Sequence, residues 1–189
     1  MARPRSIADE DILEAANVIM QAGGPAGLTF AAVAKATGLA AATLVQRFGS
    51  RDAMLVAALL RAWDQLEAQT READAVFAAT PEGAVHLLAS LSGQYSDDDY
   101  ADGLLLLRED MRHPQLRVRG EAWGKMLAAM LGRRLSADAH RQALLGQLML
   151  AQWQGIVLLW GFSRNGRVGE IVKRQLGQWC AEIGSIARA

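Results

Sequence analysis

The chain has 189 residues, 51% of them apolar, and its 20 basic residues balance 20 acidic ones to a formal net charge of zero. That length fits one compact unit or two small ones. A protein that coats nucleic acid indiscriminately carries a basic excess, so any DNA contact here must come from a local surface. Alanine and leucine dominate over β-branched residues, which favours helix over strand. Cys180 is the only cysteine, so an intrachain disulfide is excluded and a reducing cytoplasm is the expected setting. The opening MARPRSIADED lacks the apolar core of a signal peptide.

In chain order, residues 1–5 form a short basic arm, Arg3 and Arg5 flanking Pro4. It reads either as a loose terminus or as an arm touching phosphate or minor groove. Ser6 and Asp9 have the spacing of a helix cap. Ile12, Leu13, Ala16, Ile19 and Met20 give the following helix its apolar face. Asp9, Glu10 and Asp11 fall in its first turn, where the helix dipole favours acids. Gly23-Gly24-Pro25 ends it.

Residues 29–48 carry the most information. Thr29 is placed to cap a helix. Phe30, Val33, Ala34 and Thr37 recur at helical spacing. Gly38 supplies a left-handed position without steric cost. A second helix is predicted over Ala40–Arg47, with Leu44, Val45 and Phe48 on its buried side. Helix, glycine turn, helix is the layout whose second helix enters a DNA major groove.

These residues carry a resemblance. Residues 6–66 resemble the DNA-binding domain of the tetracycline-repressor (TetR) family of bacterial transcription regulators. The matching positions are Ile12, Leu13, Ala15, Ala16, Gly23, Gly24, Thr29, Val33, Ala34, Ala36, Gly38, Leu39, Thr43, Leu44, Phe48, Ser50, Met54 and Leu55. Three positions depart from the family's habit. Ala40 stands where a serine usually caps the recognition helix, a loss of roughly 0.5–2 kcal/mol unless another group caps it. Val45 stands where a tyrosine usually touches phosphate. Arg51 stands where a lysine is usual and keeps the charge.

The resemblance implies an all-α protein with two parts. The first is a three-helix DNA-binding head over 6–66, with the helix-turn-helix at 29–48. The second is a helical body over 67–189 for effector binding and dimerisation. Thr29, Lys35, Ala41, Ala42, Thr43, Gln46, Arg47 and Arg51 are the candidate DNA-contacting residues. Lys35 and Arg51 would hold phosphates, while Thr43, Gln46 and Arg47 would read or border bases. Alanine methyls against thymine methyls are a weaker option. Residues 1–51 hold five basic and four acidic side chains, so the positive patch is modest.

From Arg51 a longer helix is expected to about Phe77, with Leu55, Leu59, Ala62 and Leu66 as its stripe and Asp52, Arg61, Asp64 and Glu67 facing water. Thr80 and Pro81 start the next. The polar stretch SGQYSDDDYADG reads as a loop into a helix, and no calcium-loop spacing follows Asp97–Asp99. Glu109 and His113 lie one helical turn apart without an evident third metal ligand, so no metal is expected. A helix around 115–134 carries Leu116, Trp123, Leu127 and Leu131.

Ser136 is expected to cap a final long pair. Residues 142–163 carry no formal charge and are long enough for a membrane span. Gln142, Gln147, Gln152 and Gln154 weigh against lipid, so a buried helix is the stronger reading. Its face of Leu145, Met149, Gln152, Ile156 and Leu159 would pack on its own domain. Asn165-Gly166 turns the chain into a last helix with Val172, Leu176, Trp179, Ile183 and Ile186 at helical spacing. Two such pairs from two chains make a four-helix interface. Leu148, Ile156, Leu159, Val172, Leu176, Trp179 and Ile183 are the candidate interface residues.

No metallohydrolase, nucleophile-elbow or phosphate-loop motif occurs, so an enzyme is not expected and no cofactor is implied. His86, His113 and His140 are scattered. Cys180 reads as a structural thiol. Trp63, Tyr95, Trp123, Met126, Gln147, Gln152 and Trp153 are the candidate lining of an apolar effector cavity, and buried indoles among them need hydrogen-bond partners. The expected protein is a cytoplasmic homodimeric regulator that binds a pseudo-palindromic double-stranded operator and a small, largely apolar effector, without a membrane partner. The alternative is a helical ligand-binding or enzymatic protein whose head does not bind DNA, a reading motivated by Val45 and the alanine-rich recognition helix.

Overall fold

The computed structural model describes residues 7–93 and 99–186, and among these every regular element is a helix. The chain runs α1 (Asp9–Gly23), a 3-10 turn (Pro25–Gly27), α2 (Phe30–Thr37), α3 (Ala41–Phe48), α4 (Arg51–Val76), α5 (Pro81–Ser92), α6 (Asp99–Arg112), α7 (Pro114–Leu135), α8 (Ala139–Ser163) and α9 (Val168–Ile186). It divides into two compact units: residues up to Leu66 with Ala101–Gly120, and Glu67–Tyr100 with the chain from Glu121 on.

The first unit closes on Ile12, Ala16 and Met20 of α1, Leu28, Val33, Leu44, the Met54, Leu55, Ala58 and Leu59 run of α4, and Leu116. All but Leu28, which follows the 3-10 turn, lie on apolar faces of helices, the condition for those helices to share one core. Ala8 stands at the N-cap of α1 and offers no side-chain cap. The expected cap Ser6 lies outside the described residues. Ser50, one of the matching positions, caps α4 by accepting from the Ala53 amide at 3.0 Å.

In the second unit α9 packs on α5 and α8. Thr80 caps α5 as expected, its hydroxyl accepting from the Gly83 amide at 3.1 Å, with Pro81 in the first turn. The cap of α8 is Asp138 rather than Ser136: the Asp138 carboxylate accepts from the His140 amide, while the Ser136 hydroxyl accepts from the Asp138 amide. α7 and α8 approach closely at two glycines. A Cβ on Gly132 would strike the Gln142 carbonyl, and one on Gly146 the Ala128 carbonyl.

Arg134 organises the start of this unit. Its side chain is 5% exposed. It donates to the carbonyls of Asp74, Phe77, Ala78 and Met130 and pairs with the Asp74 carboxylate. A cation thus satisfies orphan carbonyls at the end of α4, where the helix dipole is negative.

Candidate nucleic-acid interface

The turn between α2 and α3 has the geometry that its glycine predicts. Gly38 adopts φ 73° and ψ 12°, and its amide donates to the Ala34 carbonyl at 2.9 Å. A side chain there would be strained. Thr29 caps α2, its hydroxyl accepting from the Ala32 amide at 3.0 Å. Thr37 steadies the turn from inside: its hydroxyl donates to the Val33 carbonyl at 2.8 Å and accepts from the Leu39 amide.

α3 begins at Ala41, one residue later than expected, and Ala40 provides no cap. Leu44 is fully buried and Phe48 half-buried. Val45 was expected on that buried side, but it is 46% exposed. The reason is angular. At 100° per residue Val45 lies beside Ala41 and turns away from the arc that Leu44 and Phe48 share. Ala41, Ala42, Val45 and Gln46 are all exposed, and Thr43 is half-buried.

The two arginines nominated for DNA are engaged within the head. Arg47 donates to the Ile7 carbonyl at 2.7 Å and to the Asp9 carboxylate at 3.0 Å, leaving its side chain 27% exposed. Arg51 donates from Nε to the Leu28 carbonyl at 2.8 Å and from Nη2 to the Pro25 carbonyl. One guanidinium ties α3 to the start of α1, and the other ties α4 to the 3-10 turn. Lys35 is exposed on α2.

Elsewhere in this unit, α4 is fastened to α6 and α7. The Trp63 indole donates to Asp110 at 2.9 Å, and Asp64 pairs with Arg119. Burial pushes the Asp110 carboxyl above its ordinary value of 3.8, opposed by the Trp63 hydrogen bond and by His113. The His113 Nε2 stands 3.6 Å from Glu109 and 3.7 Å from Asp52. Arg108 and Arg112 also reach Glu109, which makes it the buried centre of an ion cluster. No group of three or more metal-ligating side chains occurs among the described residues.

Residues 12–58 match the profile described as bacterial regulatory proteins, tetR family. That stretch is similar to the N-terminal domain of TetR-family regulators. Crystal structures similar over most of their length show the same fold. A transcriptional regulator from Saccharomonospora viridis in complex with choline is 16% identical, covering 90% of this chain and 94% of its own, with a TM-score of 0.72. A TetR family member from Streptomyces coelicolor is 21% identical over 89% of this chain and 95% of its own, with a TM-score of 0.67. The multidrug binding protein EbrR, complexed with imidazole, is 19% identical over 92% and 94%, also at 0.67. No curated protein is similar in sequence.

The remaining candidates fall mostly in the second unit. Trp123 and Trp153 do come together, with ring centroids 6.3 Å apart. Their indoles donate to Thr70 and Ser92 hydroxyls at 3.0 and 2.7 Å, so both polar edges are consumed in the core. Met126 is half-buried, Gln147 and Gln152 are exposed, Trp63 belongs to the first unit, and Tyr95 lies outside the described residues. The open space is elsewhere. A cleft of about 880 Å³ lies between α5 and the start of α9, bordered by Phe77, His86, Trp160, Arg164, Arg167 and Lys173. None of the described residues expected to line a cavity borders it. Sequence patterning missed this cleft because its walls come from four separate places: the chain just after α4, α5, the end of α8 and the start of α9.

The interface candidates divide as well. Ile156, Val172 and Leu176 are buried within the subunit and so unavailable to a partner. They are core residues because α9 inserts its apolar stripe against α5 and α8. Trp179 and Ile183 are half-buried. Gln152 and Leu159, expected to pack on their own domain, are exposed, Leu159 at 69%. Leu144, Leu148, Leu158, Leu159 and Phe162 form an exposed apolar stripe along α8, Phe162 at 84%. α8 is long and apolar enough to cross a membrane by length and composition, yet Leu145, Met149, Trp153, Ile156 and Trp160 are buried in the unit. Cys180 is half-buried, and burial, reinforced by Glu82, raises its thiol pKa.

Proposed function

We propose that this protein is a sequence-specific DNA-binding transcription regulator, acting as a repressor whose hold on DNA changes when a small organic effector binds its second unit. The observation that carries the reading is the left-handed turn at Gly38, followed by a helix with one buried and one fully presented face. In this reading α3 enters the major groove, Lys35 meets phosphate, and Thr43 and Gln46 border the bases.

The exposed stripe of α8 supports a homodimer. An apolar row of that length is a partner surface, and a two-fold copy of it would complete a helical interface. Two heads would then meet half-sites about 34 Å or more apart. The cleft beside α5 supports an effector site, with aromatic walls from Phe77, His86 and Trp160. An effector there can shift DNA affinity only by binding one state better, and DNA must weaken the effector by the same factor. α4, α6 and α7 contribute residues to both units and give such coupling a continuous covalent path.

The engagement of Arg47 and Arg51 favours a second reading, a ligand-binding protein with a DNA-inactive head. Selection of duplexes by the full-length protein separates the two. Recovery of a reproducible palindrome supports the regulator, and random fragments support the rival. Sedimentation at micromolar concentration tests the dimer: a monomer that pellets with lipid vesicles would assign the α8 stripe to a membrane instead.

A further inference from the structure

We propose that α3 reads thymine methyl groups, so that the operator half-sites carry T·A pairs at the positions it faces. This rests on the DNA-binding reading above and adds what the helix recognises. Ala41, Val45, Ala42 and Gln46 occupy one contiguous arc of α3, at about 0°, 40°, 100° and 140°, and all four are exposed. Leu44 and Phe48 occupy the arc turned into the head. The long cation at the end of the helix, Arg47, is drawn toward the Ile7 carbonyl and Asp9. The usual reader of guanine, a free arginine fork, is therefore missing from the presented strip.

What the strip does present is three apolar side chains and one amide. The apolar group on a base edge in the major groove is the C5 methyl of thymine. Alanine at the first two positions lets the backbone approach closely enough for methyl contact, and the branched Val45 extends the same surface. Gln46 adds the complementary preference, because its amide pairs with adenine N6 and N7. The two kinds of contact select the same base pair from its two sides.

The test begins with duplexes that the full-length protein selects from a random pool. The enriched duplex is then remade with deoxyuridine in place of thymidine, which deletes only the methyl groups. Affinity is expected to fall about fourfold for each contacted methyl. Val45→Ser is expected to weaken the thymine duplex by a similar factor and to leave the uracil duplex unaffected, since the interaction it removes is already gone. Equal affinity for thymine and uracil duplexes, or enrichment of G·C pairs opposite α3, overturns the proposal and leaves the regulator reading standing. Failure to enrich any duplex overturns both.

Discussion

Replacing Arg47 with alanine separates a structural clamp from a DNA contact. The side chain makes a charged hydrogen bond to the Ile7 carbonyl at 2.7 Å and an ion pair to Asp9 at 3.0 Å. An exposed ion pair contributes about 0.2–1 kcal/mol. A charged hydrogen bond in shielded surroundings reaches about 1.5–3 kcal/mol, less here because the bond to Ile7 lies at the exposed surface. Arg47→Ala is therefore expected to cost about 1–2 kcal/mol, a fall in Tm of about 2–8 °C for a chain of this size. Circular dichroism melts of wild type, Arg47→Ala, Asp9→Ala and the double variant would measure the coupling. In parallel, the salt dependence of binding to a selected duplex counts phosphate contacts, each worth about 0.9 in the log–log slope. A clamp lowers Tm, shows coupling with Asp9 and leaves the slope alone. An unchanged melt with a slope reduced by one contact would refute the clamp and return Arg47 to the DNA.

Three further outcomes follow from particular contacts. Arg134→Met should destabilise the fold by about 3–5 kcal/mol, because the end of α4 is left with unpaired carbonyls and Asp74 keeps only Arg133, at 3.4 Å, as its cation; lysine should rescue it poorly, having no planar fork, and urea unfolding measures both. Gly146→Ala should cost about 1–3 kcal/mol, since its methyl meets the Ala128 carbonyl, which is backbone and cannot step aside; a thermal melt equal to wild type would contradict the α7–α8 packing. Asp110 holds its proton more tightly folded than unfolded, so its ionisation penalises the fold at neutral pH and the penalty fades as pH falls through the raised pKa toward 3.8. Asp110→Asn keeps an acceptor for Trp63, and should match or exceed wild-type stability at pH 7 with the difference closing toward pH 4; a variant less stable at pH 7 would mean that the charge, through His113, favours the fold.

Local chemistry was legible in the sequence wherever one residue decides a conformation. Thr29 and Thr80 cap because a hydroxyl at that spacing meets an orphan amide, and Gly38 turns because it lacks a Cβ. The helical class and the apolar stripes follow from periodicity, which survives any arrangement of the helices. Tertiary structure decided what periodicity leaves open: which of two apolar flanks faces inward, and which partner claims a long side chain. Val45 and Leu159 turned outward, and Ile156, Val172 and Leu176 turned inward, because a helix apolar on several sides is sorted only by its neighbours. Arg47, Arg51 and Arg134 found carbonyls 23 to 60 residues away in the chain, and no spacing rule reaches that far. The cleft beside α5 exists only where the ends of several helices converge, so the fold had to form before its walls could be named.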